Sequence, residues 1–347
     1  MSLPKTFVDG FHDRESVLKM QYRSFGKTDM QVSKLAIGGG TLSSLFGPVD
    51  EAAGIETIRT ALKKGINYID TAPYYGEGKS EEIIGKALKG VPREAFYIAT
   101  KIGRYTTNFD TMFDYSAKRT RESVEKSLKL LGVDYIDVIQ IHDVEFVPTL
   151  DTILNEALPT LEQLKKEGKV RNIGVSAYPM GILKECIQKA GPGRFNTVLC
   201  YGRYNLLDES LRDYIKFFKD QGLAVICASV HGIGLLSRGM KGILPTHPAP
   251  QEIKDIARKA ADICEEADVE LGKLAMFYAA QYEEPSLFLV GMQRLPLLEM
   301  NLKAVTEGLT PNEAEVLATL KKTVFTKQMN WENIEIAAYR KHFGFKF

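Results

Sequence analysis

The sequence predicts an α/β fold: a closed (β/α)8 TIM barrel with an N-terminal hairpin and a C-terminal tail. Short β-branched runs alternate with helix-period segments along most of the chain, which indicates a parallel sheet covered by helices. Eight such runs occur, the strand number of a closed barrel. The 347 residues, 44% of them hydrophobic, can bury one large core, and no Pro/Ser-rich linker divides them. A doubly wound open sheet is the alternative.

The predicted elements follow in chain order. Residues 1–19 form a polar N-terminal extension, and Met20–Leu35 predicts a hairpin whose two β-rich runs flank the sequence G-K-T-D. The predicted barrel strands are Lys34–Gly38, Tyr68–Asp70, Phe96–Lys101, Tyr135–His142, Val170–Ser176, Thr197–Tyr201, Ala224–Val230 and Leu287–Val290. The predicted helices include Ala52–Lys64, Glu81–Leu88, Lys118–Leu131, Asp151–Glu167, Leu211–Asp220 and Glu252–Ala267.

The ends of the helices and of the barrel are also marked in the sequence. Gly65, Gly168 and Gly222 follow predicted helices, where glycine tolerates the left-handed conformation of a C-cap. A long loop, Gly232–Pro250, follows the seventh strand, and Pro311–Leu320 predicts one more helix. We assign residues 20–322 to the barrel and residues 323–347 to a tail.

The tail is rich in aromatic and charged residues from Met329 to Phe347. Ordinary linkers seldom have this composition, so we expect the tail to pack on the barrel. Closure of the tail over the functional site is the alternative.

The composition narrows the class of protein. Forty-five Lys and Arg balance 44 Asp and Glu, for a net charge of +1, which does not suggest a nucleic-acid or membrane-surface partner. The four cysteines show neither metal-ligand spacing nor a paired pattern, as in proteins of reducing compartments. No apolar signal core or 18-residue apolar run occurs. We therefore expect a cytoplasmic protein, a monomer or weak oligomer.

Polar side chains stand where three neighbouring predicted strands end. Asp70, Lys101 and His142 close the second, third and fourth strands, and Tyr75 follows Asp70 by one turn. Chemistry in such barrels takes place at the C-terminal ends of the strands. Singly, these residues are typical of a cap, a solvated charge, a structural histidine and aromatic packing. Their joint placement at one rim favours a catalytic role.

The four residue types suit proton transfer. A free tyrosine has a pKa near ~10, and an adjacent ammonium lowers it by favouring the phenolate. We expect Lys101 to act on Tyr75 in this way, Asp70 to hold Lys101, and His142 to polarise a substrate oxygen, so that Tyr75 exchanges a proton near neutral pH. A Schiff-base aldolase that uses Lys101 is a rival hypothesis.

Other motifs are weak or missing. The sequence I-G-G-G-T at 37–41 lacks the context of a dinucleotide-binding fingerprint and indicates instead that a ligand approaches Gly40 and Thr41 closely. Metalloprotease, serine-hydrolase and Walker motifs do not occur, and the five histidines lack metal-ligand spacing. We predict no metal.

Several motifs resemble those of the aldo-keto reductases: Y-I-D-T-A-P-Y-Y-G, I-A-T-K, V-I-Q-I-H-D and I-G-V-S. The resemblance runs from about Met20 to about Gly308, and the segment around R-Y-T-T-N-F-D and V-D-Y-I-D-V-I-Q-I-H-D-V-E-F is most like the L-galactose dehydrogenase branch. It implies a barrel that binds NAD(H) or NADP(H) without a Rossmann domain and interconverts an alcohol with an aldehyde, ketone or sugar lactone. Tyr75 would be the proton donor or acceptor in a tetrad with Asp70, Lys101 and His142. A nicotinamide-binding regulatory subunit is the alternative that the resemblance leaves open.

The resemblance also implies a set of cofactor contacts. Ser176 would meet the carboxamide, Ser229 the pyrophosphate, and the last strand and helix the adenosine. The expected cofactor-binding residues are Gly40, Thr41, Asp70, Ser176, Tyr201, Ser229, Gly291, Arg294 and Asn301. The chain departs from the family pattern at Ala177, Tyr201, Ala228 and Met300. Arg294 is the only cation in the segment L-V-G-M-Q-R-L-P-L-L-E-M-N-L, so we expect both dinucleotides to work.

Overall fold

The computed structural model describes residues 3–243 and 247–344. The chain begins with a helix absent from the sequence prediction, α1 (Arg14–Lys19), whose N-cap Asp13 accepts a hydrogen bond from the amide of Glu15. Strands β1 (Tyr22–Ser24) and β2 (Gln31–Ser33) then form the predicted antiparallel hairpin.

Eight parallel strands form a closed barrel. In chain order they are β3 (Leu35–Gly38), β4 (Tyr68–Asp70), β5 (Tyr97–Ile102), β6 (Ile136–Ile141), β7 (Val170–Ala177), β8 (Thr197–Tyr201), β9 (Ala224–Ala228) and β10 (Leu287–Gly291). Each strand pairs with the next, and β10 pairs with β3, with Gly291 opposite Gly38. This closure confirms the predicted barrel and excludes the open doubly wound sheet.

Helices alternate with the strands and continue beyond them. They are α2 (Glu51–Lys63), α3 (Lys79–Leu88), α4 (Ala117–Leu131), α5 (Leu158–Lys166), α6 (Met180–Ala190), α7 (Arg212–Asp220), α8 (Gln251–Glu266), α9 (Leu271–Ala280), α10 (Leu295–Thr306), α11 (Pro311–Thr323) and α12 (Ile334–His342). The predicted helix Asp151–Glu167 is not uniformly α-helical, because Ile153–Ala157 is a π-helical segment that precedes α5. Gly65, Gly168 and Gly222 have positive φ, as the C-cap prediction requires.

The hairpin closes one end of the barrel. Phe25, Met30 and Val32 belong to the buried cluster inside the barrel, and the Phe25 ring lies 5.3 Å from that of Tyr68. Lys27 donates its amide proton to the carbonyl of Gly222, just before β9. The hairpin therefore covers the starts of the strands, and their C-terminal ends remain for the functional site.

The predicted loop Gly232–Pro250 contains a short 3-10 helix, Arg238–Gly242. Residues 244–246 of this loop lie outside the described part of the chain. No described helix is long and apolar enough to cross a membrane.

The tail lies over the C-terminal ends of the strands. Met329 donates its amide proton to the carbonyl of Leu207 at 2.8 Å, and Trp331 donates its amide proton to the Tyr178 hydroxyl at 3.1 Å. From α12, the Tyr339 ring lies 5.3 Å from that of Phe146, in the loop after β6. The tail thus contacts the barrel at the rim where Asp70, Lys101 and His142 were predicted to meet.

Candidate active site

The structure brings together the four side chains that the sequence placed at one rim. Asp70 ends β4, Lys101 lies near the end of β5, His142 follows β6, and Tyr75 lies in the turn between β4 and α3. The Lys101 ammonium donates hydrogen bonds to the Asp70 carboxylate, to the Thr71 carbonyl at 2.8 Å and to the Tyr75 hydroxyl at 3.5 Å. The Tyr75 and His142 rings meet edge to face at 6.1 Å.

The Asp70–Lys101 ion pair is almost completely buried, with 1% of each residue exposed. The second Asp70 oxygen accepts a hydrogen bond of 2.6 Å from the Gln140 amide. Burial by itself would lower the pKa of Lys101, but Asp70 and Tyr75 outweigh it, so the pKa lies above its usual value and the ammonium stays charged. Both Asp70 oxygens already accept hydrogen bonds, one from Lys101 and one from Gln140. Asp70 is therefore better suited to orient Lys101 than to make the predicted contact with the cofactor.

Lys101 lowers the pKa of the Tyr75 phenol, as we expected from the sequence, but it does not bring this pKa below its usual value. Burial raises the pKa of the Tyr75 phenol more than the Lys101 ammonium lowers it, and the carboxylates of Asp70 and Asp143 raise it further. Burial is the main cause, and the effect of the ammonium is limited because it also binds Asp70 and Thr71 while the phenol lies at the long end of its hydrogen-bonding range. The Tyr75 phenol is therefore protonated at neutral pH in this structure.

His142 is neutral in this environment. Burial lowers its pKa to about 3, against the opposing charge of Asp143. Its Nε2 lies 3.5 Å from an Asp143 carboxylate oxygen, and its Nδ1 has no hydrogen-bond partner within residues 3–243 and 247–344. The Tyr115 hydroxyl fixes the local backbone by donating to the His142 carbonyl at 2.6 Å. A neutral imidazole in this position can donate a hydrogen bond to a substrate oxygen.

The sequence reasoning missed three residues around the tetrad: Gln140, Arg104 and Asp143. Arg104 forms a 2.7 Å ion pair with Asp143, donates to the Tyr74 hydroxyl at 3.2 Å and places its guanidinium 4.0 Å from the centre of the Tyr74 ring. The sequence did contain a signal for Gln140, because it lies two residues before His142 and therefore points to the same side of the strand. Arg104 lies just past Lys101, and Asp143 adjoins His142.

The ends of β3 and β10, where the sequence predicts cofactor contacts, are adjacent and rich in glycine. Gly40 and Thr41 lie in a 3-10 turn after β3, next to Gly291 at the end of β10. A Cβ atom on Gly291 would lie 2.5 Å from Thr41 Cγ2, so only glycine permits this approach. The Thr41 hydroxyl is buried and has no hydrogen-bond partner among the described residues. This buried hydroxyl beside a glycine cradle suits close contact with a ligand.

Ser176 and Tyr201 lie at the C-terminal ends of β7 and β8. The Ser176 hydroxyl accepts a hydrogen bond of 3.3 Å from the Asp143 amide, which ties the end of β7 to the residue after His142. Tyr201, at the end of β8, packs on the Tyr178 ring at 5.0 Å. Both predicted cofactor contacts therefore lie within the same rim as the tetrad.

Ser229 begins a tight turn after β9. Its φ of 59° is in the left-handed region, as are those of Gly232 and Ile233, and its hydroxyl accepts a hydrogen bond of 3.0 Å from the Ile233 amide. Successive turns of this kind form concave backbone surfaces that bind anions, which suits the predicted pyrophosphate contact.

The predicted adenosine contacts lie on α10. Arg294 is exposed at its N-cap, and Asn301 donates a hydrogen bond of 2.8 Å to the Leu297 carbonyl while its Oδ1 has no partner in the described residues. Two cations in the loop after β9 are paired with acids: Arg238 with Glu270, and Lys241 with Asp262 and Glu265. The unpartnered polar atoms of Thr41 and Asn301, together with the glycine cradle, fit a nicotinamide dinucleotide.

The chain is similar to known proteins over most of its length. The model of the aldo/keto reductase family matches residues 34–322. The L-galactose dehydrogenase of Arabidopsis thaliana is 40% identical over 83% of this chain and 89% of its own length. The D-arabinose 1-dehydrogenase of Saccharomyces cerevisiae is 31% identical over 87% of this chain and 93% of its own length.

A solved structure shares the fold. An aldo-keto reductase of Bacillus halodurans in its holo form aligns with a TM-score of 0.68 and 28% identity, over 87% of this chain and 96% of that one. The match of the family model to most of the barrel and the two sugar dehydrogenases above 30% identity identify an oxidoreductase that uses NAD(P)(H) to interconvert carbonyl and alcohol. The chain belongs to the aldo/keto reductase family.

Proposed function

We propose that the chain oxidises the C1 hydroxyl of a cyclic aldose to the lactone, with Asp70, Tyr75, Lys101 and His142 as the catalytic tetrad. The observation that carries the proposal is the meeting of the Tyr75 hydroxyl with the Lys101 ammonium, at 3.5 Å, beside the neutral imidazole of His142. A proton acceptor, a cation that stabilises it and a hydrogen-bond donor for the reacting oxygen are thus available at one point.

Each residue has a separate part in the reaction. In oxidation, the C1–H bond breaks and C1=O forms, while the phenolate of Tyr75 takes the proton of the C1 hydroxyl. The Lys101 ammonium stabilises that phenolate, Asp70 fixes the ammonium, and His142 donates a hydrogen bond to the reacting oxygen. A bound oxidised nicotinamide would supply the acceptor for the hydride that leaves C1. In the reverse direction, the protonated Tyr75 donates its proton to the carbonyl oxygen.

The substrate class is supported by the relatives. The three relatives named L-galactose dehydrogenase, D-arabinose 1-dehydrogenase and D-threo-aldose 1-dehydrogenase are 40%, 31% and 28% identical to this chain. All three names designate sugar dehydrogenases, and two specify position 1. We therefore infer that an aldose, and L-galactose first among those to be assayed, is the substrate.

The cofactor preference follows from the charges at the adenosine end. Recognition of a 2′-phosphate needs cationic donors. Arg294 remains for this role, since acids engage Arg238 and Lys241. A single exposed contact allows NADP(H) to bind but hardly excludes NAD(H), so we infer that both are used, with NAD(H) favoured.

We also infer the cellular compartment, the oligomeric state and the domain boundaries. All four cysteines are buried and free, which supports a reducing compartment, and we infer a cytoplasmic monomer or weak oligomer. Residues 20–322 would form the catalytic barrel and residues 323–347 the tail that covers it.

The test is an assay of L-galactose, D-arabinose and simple aldehydes with NAD(H) and NADP(H), in which formation or loss of the reduced cofactor is followed. We expect oxidation of at least one aldose. Cofactor binding without turnover on any of these substrates would favour the nicotinamide-binding regulatory subunit instead. Borohydride trapping of a carbonyl substrate on Lys101 would support the aldolase.

A further inference from the structure

The turn after β9 has the form of an anion site built from backbone amides. Ser229 begins it with a φ of 59°, and the Ser229 hydroxyl accepts a hydrogen bond of 3.0 Å from the Ile233 amide. The Ser229 amide donates to the Leu289 carbonyl at 3.3 Å. The next two amides, of Val230 and His231, donate to no residue within 3–243 and 247–344. Two adjacent free amides after a left-handed residue are suited to a phosphate oxygen.

Two imidazoles fix the position of this turn. His231 Nε2 lies 3.0 Å from the Gly272 carbonyl oxygen, in the first turn of α9. His247 Nε2 lies 3.1 Å from the Gly232 carbonyl oxygen. Because a carbonyl oxygen only accepts hydrogen bonds, both Nε2 atoms carry a proton. The turn is therefore bound to α9 through one imidazole, and to the far end of the loop after β9 through the other.

The two hydrogen bonds of His247 require one protonation state. Its Nδ1 accepts a hydrogen bond of 3.1 Å from the Ala249 amide, while its Nε2 donates to Gly232. A neutral imidazole with its proton on Nε2 satisfies both, whereas an imidazolium carries protons on both nitrogens. Protonation would place an N–H group against the Ala249 amide, so this arrangement of His247 would be lost. His231 has no such conflict at Nε2, because its protonated form can still donate to Gly272.

The surroundings of His247 also favour its neutral form. The residue is 8% exposed, and its ring meets that of Trp331, in the tail, edge to face at 5.4 Å. Lys254 on α8 is the charged group that acts on it, and the Lys254 ammonium donates to the His247 carbonyl at 2.9 Å. Burial lowers the pKa of the imidazole, against the Gly232 carbonyl that raises it, and the charge of Lys254 lowers it further. His247 is therefore uncharged at neutral pH.

We propose that His247 is a positioning residue of the cofactor site: while it is uncharged, it holds the Ser229–Ile233 turn in the form that binds the dinucleotide pyrophosphate. The inference rests on the proposed function and on the predicted contact of Ser229 with the pyrophosphate. When the turn is released, His247 regains the usual histidine pKa of about 6.5. Acid therefore favours the released turn, and affinity for the dinucleotide should fall as the pH drops below that value.

The test measures binding, because turnover also depends on the ionisation of Tyr75. The Kd of NAD⁺ is determined by calorimetry from about pH 5 to about pH 8, the range in which histidines change charge. For the wild type we expect a constant Kd above about pH 7 and a rise of about tenfold at about pH 5. ADP-ribose, which keeps the pyrophosphate but lacks the nicotinamide, should show the same dependence on pH.

Two substitutions separate the two hydrogen bonds of His247. His247→Gln can still donate to Gly232 but does not titrate, so its Kd for NAD⁺ should be somewhat raised yet constant over the pH range. His247→Asn keeps an acceptor for the Ala249 amide but is too short for Gly232, so its Kd should be raised at every pH by about fivefold, the effect of one lost neutral hydrogen bond. The matched control is His12→Asn in the N-terminal extension, where Nδ1 likewise accepts a backbone amide, that of Val8 at 3.0 Å. It should behave as the wild type.

Trp331 provides a second readout, which needs no ligand. It is the only tryptophan of the chain, and its ring meets that of His247. In the absence of cofactor, the Trp331 emission of the wild type should change over the same pH range in which the affinity for NAD⁺ falls. The emission of His247→Gln should not change in that range, since the neighbouring side chain then keeps its charge state.

The possible outcomes distinguish this inference from the proposed function. A wild type that binds neither NAD⁺ nor NADP⁺ at any pH would overturn both. A wild type whose Kd does not depend on pH, or loses affinity in acid to the same extent as His247→Gln, would overturn the role of His247 alone. A dependence on pH that appears with NAD⁺ but not with ADP-ribose would place the titrating group at the nicotinamide, and it would also overturn the role of His247.

Discussion

The Lys101 ammonium nitrogen lies 3.5 Å from the Tyr75 hydroxyl oxygen but only 2.8 Å from the Thr71 carbonyl, and it also binds the Asp70 carboxylate. The cation is thus shared, and the phenol receives only part of its field. Since burial raises the pKa of Tyr75 more than Lys101 lowers it, the phenol is protonated at neutral pH. Carbonyl reduction can use this state directly, and alcohol oxidation has to remove the proton first.

The first prediction concerns Tyr75. Tyr75→Phe keeps the ring and removes the hydroxyl, so turnover should fall by ~10²-fold or more, the usual size of a general acid–base contribution. Cofactor affinity, measured by fluorescence titration, should stay near that of the wild type. Tyr74→Phe is the matched control, because the Tyr74 hydroxyl meets Arg104 and not Lys101. Turnover retained in Tyr75→Phe would remove this residue from the mechanism.

The second prediction concerns pH. Oxidation needs the phenolate, whose fraction rises tenfold per pH unit below the pKa, so the oxidation rate should climb with pH through the neutral range. Reduction needs the phenol and should be flat there, because the pKa of Tyr75 is raised. Initial rates in both directions over the same buffers test this. Oxidation that is already independent of pH near neutrality would show that the phenol is ionised, contrary to the structure.

The third prediction concerns Lys101. Lys101→Met removes the cation that lowers the pKa of Tyr75, so the rising limb of the oxidation profile should move to higher pH, with partial recovery of activity there. The variant also leaves Asp70 buried without its partner, which costs about 3–5 kcal/mol of folding free energy. The double variant Asp70→Asn/Lys101→Met should regain part of that stability in denaturant unfolding but none of the activity near neutral pH. An oxidation profile identical to that of the wild type would exclude tuning of Tyr75 by Lys101.

The fourth prediction concerns the support of His142. Gly103 has φ of 100°, and a Cβ atom there would lie 2.1 Å from the Tyr115 ring, whose hydroxyl holds the His142 and Asp143 carbonyls. Gly103→Ala should cost about 3 kcal/mol or more in unfolding free energy, from backbone strain and overpacking together, and should lower turnover. Gly132→Ala, at φ of 67° with no atom within 4 Å, should cost only about 1 kcal/mol. Equal losses of unfolding free energy in the two variants would mean that the clash with the Tyr115 ring does not contribute to the effect.

The barrel could be predicted from the sequence because each strand is marked by a local sequence pattern. β4 and β8 have the predicted bounds, Tyr68–Asp70 and Thr197–Tyr201, since short β-branched runs between turn residues need no long-range information. Helix α1 was missed, because a six-residue segment with one buried residue, Val17, carries little periodicity.

The candidate site was predictable to the extent that strand ends converge in a barrel. This geometry places Asp70, Lys101 and His142 together without knowledge of the loops. The balance of burial and charge at Tyr75 could not be predicted, because it depends on the depth of the phenol and on the Lys101 contacts with Asp70 and Thr71.

The last prediction concerns the choice of dinucleotide. Arg294 is exposed at the N-cap of α10, while acids pair with Arg238 and Lys241. If Arg294 contacts the 2′-phosphate, Arg294→Ala should weaken NADPH binding by roughly tenfold or more and leave NADH binding nearly unchanged, since one charged hydrogen bond contributes about 1.5–3 kcal/mol. Titration of both reduced cofactors against the two proteins measures this difference. Arg238→Ala is the control, because its guanidinium already binds Glu270. Equal losses for both cofactors in Arg294→Ala, or a loss specific to NADPH in Arg238→Ala, would place recognition of the phosphate in the loop after β9.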